Sequence, residues 1–329
     1  VKRCLRLIRR RLLASIPVLL IVVFMTFLLL EMAPGDAVDA YLLSIGGGDA
    51  GVADGLRRAY GLDQSLTARL WLYLTALARL NLGWSVTFDR PVLDLIRERL
   101  PNTLALMGSA TALSFALGSV LGTIAGSKPE SAKDRALSSI SLIIYSIPGF
   151  WLGLVFSLVF AVQLRWLPTS GLETIASGKT GISRLLDIIR HLVLPVSTLA
   201  LIYTALFLRV MRSGMAQAWK LDFVLFARAK GLTRHRILLR HVARNATLPL
   251  ITMLGLQAAT MLGGSVVIES IFAIPGFGRL AQEAVAGRDA PLLMGIILVS
   301  AVLVIAINLL IDLILIRLDP RIGASESVR

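Results

Sequence analysis

The sequence predicts an all-α polytopic membrane protein with six transmembrane helices. Of 329 residues, 56% are hydrophobic and the mean hydropathy is +0.78, whereas soluble domains are roughly 45–50% apolar. Six apolar stretches are separated by polar connections, each stretch close to the ~20 residues a helix needs to cross hydrocarbon. Lysine and arginine alternate in density between those connections. The segments assigned to the cytoplasm (the N-terminus, 127–135, 209–244 and 317–329) hold 21 of them, and the three longer segments assigned outside hold 13. That is the sign the positive-inside rule requires. The formal charge of +14 therefore reflects topology. It accompanies no RNA- or DNA-binding motif, and no nucleic-acid partner is expected.

The chain opens with Lys2, Arg3, Arg6, Arg9, Arg10 and Arg11, then an apolar run from Leu12 to Leu30. That run exceeds the ~7–15 residues of a signal-peptide core and no A-x-A site closes it. Residues 1–30 are therefore read as a cytoplasmic N-terminus and an uncleaved first helix. Residues 31–102 form an extracytoplasmic segment with nine acids against seven arginines. Gly46-Gly47-Gly48 marks a turn in it, and Ser65–Leu82 reads as an amphipathic helix. A five-helix core follows over 103–316, and 317–329 is a cytoplasmic tail. The second span, Leu104–Ala125, is followed closely by Gly126, which with Gly118 and Gly122 makes a four-residue repeat. Such a repeat lets another helix approach closely. The third span, Ala136–Val162, contains Ser146-Ile147-Pro148-Gly149, and a kink is expected where Pro148 removes a hydrogen bond. That kink serves either packing or the translocation path.

The outside loop Arg165–His191 has four bases against two acids and fits the charge rule poorly. Its Ser177-Gly178-Lys179-Thr180 is not a phosphate loop, because Glu173 stands where the first glycine belongs and no strand precedes it. The fourth span is Leu192–Met211. The fifth, Ala246–Ile268, carries Gln257, Thr260 and Ser265, and the sixth is Leu292–Ile316. Cys4 is the only cysteine, and His191, His235 and His241 form no HxxxH or HExxH pair. Neither a disulfide framework nor metal chemistry is expected.

The most informative stretch lies between spans four and five, within a cytoplasmic loop at 213–245. From Asp222 to Pro249 it holds Arg228, Lys230, Arg234, Arg236, Arg240 and Arg244 with Asp222 as its sole acid. Apolar residues at 232, 237–239 and 242 and an interrupting Gly231 suggest a short helix, a glycine turn and a second amphipathic helix at the membrane surface.

This stretch resembles the cytoplasmic coupling loop of bacterial ABC-importer permeases of the dipeptide/oligopeptide/nickel branch. ARAKGL at 227–232 and the continuation from His241 to Pro249 carry the resemblance. Leu225, Phe226 and Ala227 replace the Glu-Ala-Ala of the older signature, while Gly231 keeps its place. Shorter signatures are similar to the same branch along the chain. They are Ala33-Pro34-Gly35-Asp36, Tyr60-Gly61-Leu62-Asp63, Leu82-Gly83-Trp84-Ser85, Leu100-Pro101-Asn102-Thr103, Leu167-Pro168-Thr169-Ser170-Gly171, Glu269-Ser270-Ile271-Phe272, Pro275-Gly276-Phe277-Gly278-Arg279, Arg288-Asp289-Ala290-Pro291 and Leu318-Asp319-Pro320-Arg321.

The resemblance implies a type I importer permease in the bacterial inner membrane with both termini cytoplasmic. It pairs with a second, similar permease subunit, two cytoplasmic ATPase subunits and an extracytoplasmic solute-binding protein. Peptides, nickel chelates or related small solutes are the implied cargo. The chain would itself be no enzyme and hold no cofactor, ATP and Mg being bound by the ATPase subunits. On the same basis Asp222, Ala227, Ala229, Lys230, Gly231, Leu232, Arg234, Arg236 and His241 are the expected coupling-loop residues. Ala227, Ala229, Gly231 and Leu232 would form the turn, and Lys230, Arg234 and Arg236 would meet the partner or lipid headgroups. Ser146, Gln257, Thr260 and Ser265 are the candidate substrate-path positions. The alternative is an ion-coupled secondary transporter or channel, which needs intramembrane carboxylates. Only Asp312, near the end of span six, offers one. A membrane-embedded enzyme would need a convergent nucleophile, acid or metal set, and the spans contain none.

Overall fold

The computed structural model describes residues 2–32, 38–39, 42, 50–59 and 63–318. The signature at 33–36, the glycines at 46–48, Tyr60-Gly61-Leu62 and the tail from Asp319 lie outside the described residues. Among the described residues helices dominate, and four are long and apolar enough to cross a membrane: Leu5–Met32, Val92–Ser127, Gly181–Ala218 and Ala290–Arg317. A fifth candidate is the bent pair Ala132–Ser146 and Gly149–Gln163. The chain divides into two compact units, one of Arg6–Thr103 with Pro275–Ala306 and one built on Leu104–Ile274 with residues from Ile307 onward.

In the first of these units, helix α1 (Lys2–Met32) is apolar on every side from Leu12 to Leu30, and Leu12, Ile16, Leu20, Ile21 and Phe24 are exposed, as suits a helix surrounded by lipid. Val23 and Phe27 are its buried contacts, packed with Met294, Leu70 and Leu74. Helix α2 covers Ala50–Ala59, and α3 covers Leu66–Ala78, inside the amphipathic stretch expected at 65–82. A two-residue hairpin follows, β1 (Trp84–Ser85) antiparallel to β2 (Arg90–Pro91). It leads directly into α4 (Val92–Ser127). Val92, Leu95 and Ile96 at the start of α4 are buried with Phe277, Leu280, Leu292 and Ile296. The last four residues belong to α11 (Phe277–Ala286) and α12 (Ala290–Leu318).

Four of the short signatures of this unit are hydrogen-bonded in pairs. Asp289, fully buried, accepts the Ser85 hydroxyl at 2.6 Å and the Thr87 amide at 2.9 Å, and caps α12 by accepting the Leu292 amide at 3.1 Å. Asn102 donates to the Pro275 carbonyl at 2.7 Å, and the Thr103 hydroxyl accepts the Phe277 amide at 2.7 Å, capping α11. Leu82–Ser85 is thereby fixed to Arg288–Pro291, and Leu100–Thr103 to Pro275–Arg279.

In the other unit, the glycine repeat of α4 seats that helix on α7 (Gly181–Ala218). A Cβ on Gly122 would lie 2.6 Å from the Met211 Cβ and 2.8 Å from the Leu208 carbonyl oxygen, and one on Gly126 would lie 2.8 Å from the Met215 Cβ. Gly118 abuts the backbone at Phe207 and Leu208. The packing face expected from the spacing is present.

The kink expected at Pro148 is a full break. Helix α5 (Ala132–Ser146) and helix α6 (Gly149–Phe156) meet at 94°. Ile147 is extended, at φ −80° and ψ 128°, because the ring of a following proline disfavours helical backbone. A π-helical segment, Ser157–Gln163, completes this arm. The spans also outrun their apolar cores. α4 begins at Val92 rather than Leu104, and α7 at Gly181 rather than Leu192. The helical hydrogen-bond ladder continues through amphipathic turns such as Arg97-Glu98-Arg99, where hydropathy falls.

Three of the four cations of the Arg165–His191 segment have local partners. Lys179 lies 2.6 Å from Asp187, which also accepts the Thr174 amide at 2.7 Å. Arg184 binds Glu173 through two contacts of 2.6 and 3.1 Å and holds that carboxyl below its ordinary pKa. Arg190 donates to the Trp166 carbonyl at 2.9 Å. Lys179 and Arg184 are thereby paired with the segment's two acids, while Arg190 is held by a neutral carbonyl. Lys179 is occupied by Asp187, so Ser177–Thr180 has no free lysine for a phosphate. Gly171, at φ +87°, donates its amide to the Phe272 carbonyl at 2.8 Å, joining a further pair of signatures.

Candidate functional site

The basic stretch folds as two short helices around a glycine turn. Helix α8 spans Asp222–Ala229, with exposed Asp222 in its first turn, where a carboxylate favours the positive helix end. Val224 and Ala227 face inward and join Phe207, Met211, Met215, Ile237, Val242 and Leu250 in one buried cluster. Leu225 and Phe226 point the other way, 74% and 69% exposed. Arg228, Ala229 and Lys230 are exposed as well.

The helix ends in a Schellman motif. The Leu232 amide donates to the Ala227 carbonyl at 3.2 Å, and the Gly231 amide to the Arg228 carbonyl at 2.8 Å. Gly231 has φ +73°, and a Cβ placed on it would meet nothing within 4 Å. Its constraint is thus one of backbone conformation alone. Leu232 packs on the buried cluster, and helix α9 (Arg234–Ile237) is anchored by Ile237, 1% exposed. A π-helical turn, Leu238–Val242, then leads into α10 (Ala243–Ile271). Arg236 and Arg240 are exposed, while half-buried His241 lies with its ring 6.4 Å from that of Phe223. The result is an outward face of bulky apolar and cationic side chains on a base fixed by Val224, Ala227 and Ile237.

Arg234 is directed within the chain. It donates to the Ser127 carbonyl at 3.1 Å, and its guanidinium carbon lies 5.5 Å from the Trp219 ring centre. Trp219, which the sequence does not single out, donates its indole N–H to the Gly126 carbonyl at 2.9 Å. Arg212 forms a paired contact of 2.5 and 2.8 Å with the buried carboxylate of Asp134, at the start of α5. Partners 78 to 107 residues apart leave no local signal.

The candidate substrate-path residues are less united. Thr260 bonds to the Gln257 carbonyl at 2.9 Å and to its side-chain oxygen at 3.0 Å. The Ser146 hydroxyl returns to the Leu142 carbonyl at 2.9 Å, at the break between α5 and α6. Ser265 is fully buried. Gln257 and Thr260 form one polar pair on α10, with Ser265 further along the same helix and Ser146 on a different arm.

Residues 118–324 match the model of the binding-protein-dependent transport system inner membrane component, and residues 4–107 match that family's N-terminal region. The chain belongs to this family. The oligopeptide transport system permease protein AppB of Bacillus subtilis (strain 168) is 36% identical over 318 residues, covering 95% of this chain and 98% of AppB. A Brucella abortus (strain 2308) protein, provisionally named a peptide transport system permease, is 36% identical over 316 residues, covering 96% and 98%. Among solved structures, the inward-facing MetNI methionine ABC transporter aligns with a TM-score of 0.55 at 18% identity, covering 69% of this chain and 97% of that one. The fold is that of an ABC-importer permease.

The binding-protein-dependent permease is a multi-pass protein of the bacterial inner membrane. It is not itself an enzyme and carries no cofactor, since ATP hydrolysis belongs to partner subunits. An ATPase and a binding protein are its partners by family. The ion-coupled alternative is thereby set aside.

Proposed function

We propose that this permease forms half of a translocation path for peptides and that the 222–249 stretch is the surface on which its ATPase docks. The observation that carries this is the outward face of α8, where Leu225 and Phe226 stand exposed beside Arg228 and Lys230. A soluble partner can bury such a patch, and the cations around it favour an acidic counterpart. Asp222, Ala227, Ala229, Lys230, Gly231, Leu232, Arg234, Arg236 and His241 shape or present this element. Peptide as the cargo is supported by the names of the relatives that match almost end to end.

The full proposal has six spans, the sixth being supplied by α10, which is 29 residues long. Both termini and the 213–245 loop are cytoplasmic, while 31–102 and 165–191 lie outside. Two ATPase subunits and a second permease subunit complete the importer with the binding protein. The substrate path uses Ser146, Gln257, Thr260 and Ser265.

Topology is checked in a Cys4→Ser background. A cysteine at Ile175, 93% exposed, should react with an impermeant thiol reagent in intact cells, and one at His235 should react only after lysis. The opposite pattern would invert the proposed orientation.

Docking is tested at Gly231. Valine there meets no steric neighbour but must occupy left-handed backbone, which costs ~1–2 kcal/mol. The expected outcome is normal insertion, with ATPase co-purification and peptide uptake each reduced about tenfold, as that energy implies. Undiminished values for both would remove the loop from the docking surface. Uptake of a labelled tripeptide but not of nickel, dependent on this chain, would support the cargo; the reverse would overturn it.

A further inference from the structure

We infer that Trp219 and Arg234 make the end of α4 part of the moving coupling element, so that displacement of the loop is passed to that span directly. This rests on the reading of 222–249 as the ATPase-facing stretch, but concerns a connection inside the chain.

The last carbonyls of a helix have no partner within it. In α4 two of these, at Gly126 and Ser127, are bonded by side chains from the neighbourhood of the loop. The Trp219 indole reaches the first at 2.9 Å and the Arg234 guanidinium the second at 3.1 Å. The two donors also lie against each other, with 5.5 Å between the guanidinium carbon and the ring centre, within the range of a cation–π contact. They form a bracket: Trp219 closes the end of α7, Arg234 opens the helix after the Gly231 turn, and both hold adjacent carbonyls of α4.

Two further features stiffen this connection. Gly118 and Gly122 bring α4 against the backbone of α7 at Phe207 and Leu208, and Gly126 seats it on the Met215 side chain, a close-packed contact with little room to give. Beyond the bracket, Arg212 of α7 holds buried Asp134, whose carboxylate also accepts the Glu130 amide at 2.8 Å and the Ser138 hydroxyl at 3.2 Å. The connection from α4 to α5 is therefore held at both ends by residues preceding or within the loop. A shift of α8 and α9 would carry the end of α4 with it, whereas flexible contacts would absorb the shift. Trp219 and Arg234 are positioning residues; neither need touch the solute.

The test is Trp219→Phe in the full importer, reconstituted with its ATPase and binding protein. Phenylalanine keeps an aromatic ring beneath Arg234 but lacks the N–H, along with the five-membered ring that carries it. ATPase should co-purify in the normal ratio and hydrolyse ATP at the normal rate without binding protein. Solute transported per ATP hydrolysed should fall about fivefold, the factor that one ordinary hydrogen bond represents. An unchanged transport-to-hydrolysis ratio would overturn the inference while leaving the docking surface intact. Failure of docking itself would appear separately, in the Gly231→Val complex. A second measurement needs no change at Trp219. Spin labels at exposed Lys128 and His235, in a Cys4→Ser background, should keep one separation between nucleotide-free and vanadate-trapped complexes. A nucleotide-dependent change in that distance would show that the bracket opens, and would refute the rigid connection.

Discussion

Replacing Gly122 with leucine should abolish uptake and leave a chain that does not assemble into an extractable complex. Even a single Cβ at this position would lie 2.6 Å from the Met211 Cβ and 2.8 Å from the Leu208 carbonyl oxygen. The second is backbone in the middle of α7 and cannot rotate away. Accommodation requires separating two helices over at least the turn between Gly118 and Gly126. Overpacking in a close-packed interior typically costs about 1–3 kcal/mol for added methylenes, and leucine adds four heavy atoms where there is no room for one. Alanine at the same site gives the graded form, a loss in that ~1–3 kcal/mol range. Gly108 on the same helix is the control, since a Cβ there meets nothing within 4 Å. Gly108→Ala should be neutral or stabilising, alanine being the better helix former by about 1 kcal/mol. Thermal inactivation midpoints of the purified complexes measure both. Equal midpoints for Gly122→Ala and Gly108→Ala would mean that the helices are not in backbone contact.

The glycine repeat was legible because four-residue spacing places it on one face whatever the partner. Its partner was not legible, since Phe207, Met211 and Met215 also repeat at intervals of about four and so do apolar residues on every span. Prolines show the same limit. Pro17, Pro101, Pro195 and Pro249 all sit inside continuous helices, whereas Pro148 breaks the third span in two. Each proline removes one amide donor. Whether the chain then bends or breaks depends on how the neighbouring backbone is packed. At Pro148 a glycine follows and the preceding isoleucine is extended. Helix length was underestimated where amphipathic turns continue α4 and α7 beyond their apolar runs.

The proposed coupling loop was the readable part of the candidate site because its geometry closes locally. The Schellman bonds join residues 227, 228, 231 and 232, so a short stretch of sequence carries the whole turn. Arg234 shows where local reading stops: a cation on a surface loop suggests a partner or a headgroup, but its acceptor is a carbonyl 107 residues away. The substrate-path positions were weak for another reason. Ser146 and Thr260 bond back to carbonyls of their own helices, as hydroxyls in apolar helices generally can. A polar letter in a span therefore does not by itself mark a path.

Asp289→Ala should cost the N-terminal end of α12 its attachment to the hairpin and lower the stability of its unit by ~2 kcal/mol or more, given ~1–3 kcal/mol for each buried donor left unmatched. Three donors converge on this carboxylate: the Ser85 hydroxyl at 2.6 Å, the Thr87 amide at 2.9 Å and the Leu292 amide at 3.1 Å. Asp289 and Ser85 are both fully buried, so water cannot readily replace the lost acceptor. The Leu292 bond is also the N-cap of a helix, and truncating such a cap costs about 0.5–2 kcal/mol in its own right. Ser85 adds a dependent bond, since its oxygen accepts the Phe88 amide at 3.2 Å. Loss of Asp289 should therefore loosen the whole turn from Ser85 to Arg90. Hydrogen exchange should rise at the Thr87, Phe88 and Leu292 amides, while the amides of Gly231 and Leu232 keep their protection. Asp289→Asn, which retains one acceptor oxygen and is similar in size, should show a smaller rise. If Asp289→Ala left exchange at Thr87 and Leu292 unchanged, the carboxylate would not be what holds these two signatures together.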